Sequence, residues 1–104
     1  MMWNNLSTFY ILNMIMQYIL TDNFKRKYDG KEESSQDSID GAIRKLIADI
    51  RYPGLHCHKI KGLRGRKSIF EAYINDEDRL TFEYGDDAII FRTNCHHDAV
   101  LRNP

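Results

Sequence analysis

The sequence predicts an α+β fold: two N-terminal helices packed on one face of a mostly antiparallel sheet of four to five strands, in the order β-α-α-β-β-β-β. Three observations predict it. Ile39, Ala42, Ile43, Leu46, Ile47 and Ile50 recur at the i, i+3, i+4, i+7, i+8, i+11 spacing of one buried helical stripe. From His58 onward the apolar period shortens from about 3.6 to 2, as strands require. The runs of alternation are separated by short turn-forming clusters, Asn75-Asp76-Glu77-Asp78 and Gly85-Asp86-Asp87, which join consecutive strands as an antiparallel meander.

A chain of 104 residues, 42% hydrophobic and 29% charged, is one globular domain. At this length roughly 60–70% of the unfolded surface is buried, enough for a core without staples. The most apolar window, Leu6–Leu20, is interrupted by Asn13 and Gln17. It falls short of the roughly 20 residues of a spanning helix. No Lys or Arg precedes it and no small-residue cleavage site follows, so neither a membrane span nor a secretory signal is expected. Residues 1–15 are read as an extension outside the functional unit, or else as a short packed helix, and residues 16–104 as the domain proper.

Gln17–Leu20 reads as a short strand, and Thr21-Asp22-Asn23 ends it with helix-starting chemistry. Phe24 and Tyr28, four apart, share one face of the first helix, which Gly30 weakens or bends. Ser34 followed by Asp37 is a capping-box pattern for the second helix. Pro53-Gly54 stops that helix, with Tyr52 pushed from helical geometry by the proline. In Ser68–Ile74 the residues Phe70, Ala72 and Ile74 share one face, with Glu71 and Tyr73 on the other. In Arg79–Tyr84, Leu80, Phe82 and Tyr84 point inward and Arg79, Thr81 and Glu83 outward. Ala88–Arg92 is the last strand. Helices should cover one face and leave the other polar and partly cationic.

The formal charge is zero, from 15 basic and 15 acidic side chains, but it is unevenly spread. Arg51–Lys67 carries Arg51, Lys59, Lys61, Arg64, Arg66 and Lys67, with His56 and His58 and no carboxylate. Such a run is a solvated loop or an electrostatic footprint for phosphate; Gly62 and Gly65, which let backbone approach a ligand, favour the second. Arg79 is either a surface arginine paired with Asp76 or Asp78, or a guanidinium clamp for a phosphate. All four histidines and both cysteines lie in two tripeptides, His56-Cys57-His58 and Cys95-His96-His97. They suit general acid–base work near neutral pH, or a transition metal. The spacing has no CxxC or HxxxH, and alternation throws Cys57 to the side opposite His56 and His58, so no metal is expected. Two cysteines without a processing signal point to a reducing compartment, the cytoplasm.

Taken together, QYILTDNFKRKY, a striped helix ending in DIRYPG, then HKIKG, DRLTFEY and FRTNCHHDAVL resemble the RelE/ParE toxin superfamily, and within it the RelE- and YafQ-like messenger-RNA interferases. The resemblance spans about Met16 to Leu101. It implies the toxin of a toxin–antitoxin pair that cleaves messenger RNA on the ribosome and is silenced by a cognate antitoxin, with no small-molecule cofactor and no membrane. By position it implies catalytic roles for His58, Arg79, Glu77 and either His96 or His97, with Lys59, Lys61, Arg64, Arg66 and Lys67 holding RNA. Two positions depart from the pattern: Tyr73 stands where a further histidine is expected, and Val100-Leu101 replaces the tyrosine of some RelE members. The alternatives are a ParE-like gyrase-binding toxin, which needs no acid–base set, an inactive interaction module, or a small metal protein.

Overall fold

The computed structural model describes residues 6–11, 14–63 and 68–104, of which 6–11 and 14–16 as backbone alone. Its elements are β1 (Leu6–Ile11), β2 (Met14–Leu20), α1 (Asp22–Asp29), α2 (Glu33–Ala48), β3 (His58–Lys59), β4 (Phe70–Tyr73), β5 (Asp78–Tyr84), β6 (Ala88–His96) and a 3₁₀ turn, His97–Ala99. The strands lie in the order β1-β2-β6-β5-β4-β3. After β2 the chain passes through both helices and enters the sheet at the opposite edge. It then meanders back by antiparallel pairs until β6 lies parallel to β2. The predicted α+β arrangement is therefore present in β2–β6.

β1 is not the short helix that was one expectation for this segment: the backbone of Leu6–Ile11 pairs antiparallel with β2 from Leu6↔Ile19 to Ile11↔Met14. The described part of the most apolar window is thus a pair of antiparallel strands at the sheet edge. Among the described residues no helix is long and apolar enough to cross a membrane.

The start of α1 is fixed as its sequence suggests. Thr21 Oγ1 accepts from the Phe24 N–H (3.2 Å) and donates to the Arg92 carbonyl (3.0 Å), to which Asn23 Nδ2 also donates (3.1 Å). The β5–β6 register jumps from Thr81↔Thr93 to Phe82↔Phe91, so a bulge at Arg92 presents that carbonyl to the helix. α2 begins ahead of the Ser34 capping pattern, with Glu32 as its N-cap. The turn closes early because Gln36 N–H donates to the Glu32 carbonyl (3.0 Å) and Gln36 Nε2 to the Tyr28 carbonyl (2.9 Å). Tyr28 Oη donates to the buried Asp40 carboxylate (2.9 Å) and ties the helices together.

The core fills the space between helices and sheet. Ile39, Ala42, Ile43 and Leu46 of the α2 stripe are buried, and Phe70, Ala72 and Ile74 face them as predicted. The opposite face is less open than the alternation suggests. Thr81 is fully buried and Arg79 only 8% exposed. The chain after β6 folds back across this face: Val100 packs with Ile60 and Ile69, and the Pro104 backbone oxygen accepts from Thr81 Oγ1 (3.1 Å) and Arg92 Nε (2.9 Å).

Phe91 lies fully buried against the rings of Tyr18, Phe24 and Phe82. Phe91→Ala is expected to cost about 3–5 kcal/mol in urea-induced unfolding. A loss below about 1 kcal/mol would show that this aromatic cluster does not join the layers.

Candidate acid–base groove

His58 reaches the face away from the helices because the chain turns sharply just before it. His56 adopts a left-handed backbone (φ 47°), after which Cys57 packs against the main core and His58 enters β3. Pairing in β3–β4 sets His58 opposite Glu71. His58 Nε2 lies 2.7 Å from Glu71 Oε1, and Nδ1 lies 2.6 Å from the His56 carbonyl. Both neighbours are acceptors, so the ring satisfies both only by donating from both nitrogens. Glu71, with its side chain 18% exposed, keeps lone pairs to spare. Sequence reading put Glu71 on this face but gave it no role; the missing signal was the cross-strand register, which periodicity does not specify.

The second imidazole arrives from the other end of the meander. β6 runs four residues past its predicted end at Arg92, to His96, which pairs with Asp78. The next N–H, that of His97, donates to the Glu77 carbonyl (2.8 Å). This bond aims His97 into a groove of about 540 Å³ that His58, Lys61 and Glu71 also line. His97 Nδ1 lies 2.9 Å from Asp98 Oδ1, which leaves Nε2 for proton exchange. His96 does not line the groove. Its ring lies 4.3 Å from that of His97 at a tilt of 33°, and its Nδ1 accepts from the Asp98 N–H (3.3 Å). The two histidines separate geometrically, where the sequence left them open.

Other expected site residues fare differently. Lys59 and Lys61 are exposed beside the groove. Arg64, Arg66 and Lys67 lie outside the described residues. Glu77 contributes its backbone carbonyl to His97, while its side chain points to solvent. Arg79 is a correction in its placement: expected to point outward, it is buried. Its guanidinium lies over the Tyr73 ring at 3.4 Å, and Nη1 donates to the carbonyls of Asn75 (2.8 Å), Asp76 (3.2 Å) and Asp78 (3.0 Å). The physical reason is the tight β4–β5 loop, whose inward carbonyls need a donor. Tyr73, placed where a histidine was expected, supplies the stacking face and also meets the His56 ring at 4.7 Å.

The cysteines do not join the histidines. Burial pushes the Cys57 thiol up to about 11. Burial also raises that of Cys95, against the opposing pull of Lys27 and Lys31. Cys57 packs on the main core and Cys95 on the Ile60–Ile69–Val100 cluster, so the two sulfurs occupy separate clusters. Protonated and separated, they are poor metal ligands and poor nucleophiles.

No family profile and no curated protein matches this sequence. Solved structures do. YafQ of Escherichia coli superposes with a TM-score of 0.63 at 12% identity, over 78% of this chain and 92% of that one. The RelB–RelE antitoxin–toxin complex of Methanococcus jannaschii gives 0.57 at 17% identity, over 80% and 94%. YoeB of Staphylococcus aureus gives 0.53 at 16% identity, over 75% and 91%. At such identities the likeness is one of fold, and this chain has the fold that the RelE, YafQ and YoeB toxins share.

Proposed function

We propose that this protein is the toxin of a toxin–antitoxin pair and an endoribonuclease that cleaves messenger RNA on the ribosome in the cytoplasm. The fold supports the toxin reading, and the similarity to a chain of an antitoxin–toxin complex supports a cognate antitoxin as partner. The observation that carries the enzymatic reading is the shared groove: a carboxylate-held His58 on one side, a carboxylate-oriented His97 on the other, and Lys61 beside them.

The chemistry is internal transesterification. The ribose 2′-OH attacks the adjacent phosphorus, the P–O5′ bond breaks, and a 2′,3′-cyclic phosphate and a 5′-hydroxyl are formed. Both ring nitrogens of His58 are engaged, which argues against it as the base. In this reading Glu71 takes the 2′-OH proton, while His58, bonded to it, places positive charge beside the reacting phosphate. Lys61 adds a further cation there. His97 Nε2–H protonates the departing 5′-oxygen, with Asp98 fixing the ring through Nδ1. Each proton transfer is worth ~10²–10⁴-fold, and the ribosome supplies the positioning of the message.

Primer extension on ribosome-bound messages tests the assignment. His97→Ala should lower cleavage by about 10²–10⁴-fold with an unchanged circular dichroism spectrum, whereas His96→Ala should cost less than about tenfold. Equal losses would remove the distinction drawn from the groove. Glu71→Gln keeps the shape and one acceptor for His58 but cannot take a proton at neutral pH, so it should match His97→Ala. An undiminished rate would assign the base role to His58. Arg79→Ala should lower unfolding stability by about 1–3 kcal/mol through the orphaned loop carbonyls, with cleavage per folded molecule changed less than about tenfold. A larger kinetic loss without destabilisation would restore Arg79 as a phosphate clamp. Trapped gyrase–DNA complexes with messenger RNA intact would overturn the nuclease reading altogether.

A further inference from the structure

The end of β6 and the turn that follows carry three ligand-type side chains in a row, His96, His97 and Asp98. Nδ1 of His97 lies 2.9 Å from Asp98 Oδ1, and Nδ1 of His96 lies 3.5 Å from Asp98 Oδ2. One ligand atom from each residue falls within 4.8 Å of the other two. An ion bound at ~2.0–2.2 Å to imidazole nitrogen and carboxylate oxygen separates its ligand atoms by roughly 2.9–3.5 Å, at angles between octahedral and tetrahedral. The His97 separation lies in that range with Oδ1 as the carboxylate ligand, and the His96 separation at its upper end with Oδ2.

One further feature favours an ion here. The backbone of both histidines is anchored to one neighbouring segment, by the pairing of His96 with Asp78 and by the His97 N–H bond to the Glu77 carbonyl. An ion on the two Nδ1 atoms would displace the Asp98 N–H from His96 Nδ1 and enter between His97 Nδ1 and Asp98 Oδ1.

We propose that His96, His97 and Asp98 form a site for a divalent transition-metal ion of the copper–zinc class. Two imidazoles and one carboxylate are the donor set these ions prefer over calcium or magnesium. The three side chains are about half exposed or more, so the remaining coordination positions open to water and the ion exchanges with solution. Occupation has a consequence that rests on the nuclease reading. An ion on Nδ1 takes the place of the Asp98 contact that orients His97 and turns the ring toward the cluster, so it withdraws the group that faces the leaving oxygen. The ion is thus an inhibitor of cleavage and takes no part in it.

Isothermal titration of the full chain without a histidine tag, with zinc chloride and with copper chloride, tests the site apart from any activity. One ion per chain is expected. Asp98→Asn should weaken binding about tenfold or more, and the His96→Ala/His97→Ala double variant should abolish it. His56→Asn, which removes an exposed histidine outside the cluster and tolerates the left-handed backbone, should bind as the parent does. Uptake unchanged in the double variant, lost equally in His56→Asn, or absent at millimolar zinc and copper overturns the site. If binding follows this pattern but ribosomal cleavage is unaffected by saturating zinc, the metal site stands and the role of His97 in cleavage fails.

Discussion

The packing of Phe91 against Tyr18, Phe24 and Phe82 is the contact on which the architecture depends. It joins β6 to the parallel strand β2, to the first turn of α1 and to the antiparallel strand β5. A residue that closes three elements at once is possible only because β6 sits in the interior of the sheet, between β2 and β5. The bulge at Arg92 adds a polar anchor beside it, where Thr21 and Asn23 reach across to one carbonyl. Hydrophobic burial therefore sets how firmly α1 is held on the sheet, and hydrogen bonds set where the helix starts.

That same strand delivers chemistry at its far end. β6 leaves the core at Asn94, whose Nδ2 still donates to the Phe24 carbonyl, and two residues later reaches the exposed His96. The groove is thus assembled from the sheet's edge strand β3 and from the exit of its interior strand β6, with β4 supplying Glu71 from between. Rigid pairing on both sides is what turns two exposed histidines into a defined arrangement. A histidine on a free loop has no reason to keep its distance from a second one.

Electrostatically, the groove does not rely on a large net charge. Each imidazole has its own carboxylate, Glu71 for His58 and Asp98 for His97, and the lysines lie beside them. The pairing fixes ring orientation, which a diffuse cationic surface cannot do. A chain of zero formal charge can thus still place charged groups side by side in one groove. The buried guanidinium of Arg79 plays a different part: it satisfies the β4–β5 carbonyls, from which the Glu77 carbonyl then holds His97.

Local pattern in the sequence determined the helices, the meander and the faces of β4, because the 3.6 and 2 periods and the turn residues are properties of neighbouring positions. Thr21 as a cap and Cys57 turned away from His58 were legible for the same reason. The tertiary structure alone decided what pairs with what. The β3–β4 register made Glu71 the partner of His58, and the length of β6 chose His97 over His96 for the groove. The segment after β6 buried Thr81 on a face that alternation left open. The β1–β2 pairing, too, depended on an edge of the sheet that no local signal announces. Periodicity gives the face a side chain points to; only the assembled sheet says whether that face meets water, another strand or a returning chain.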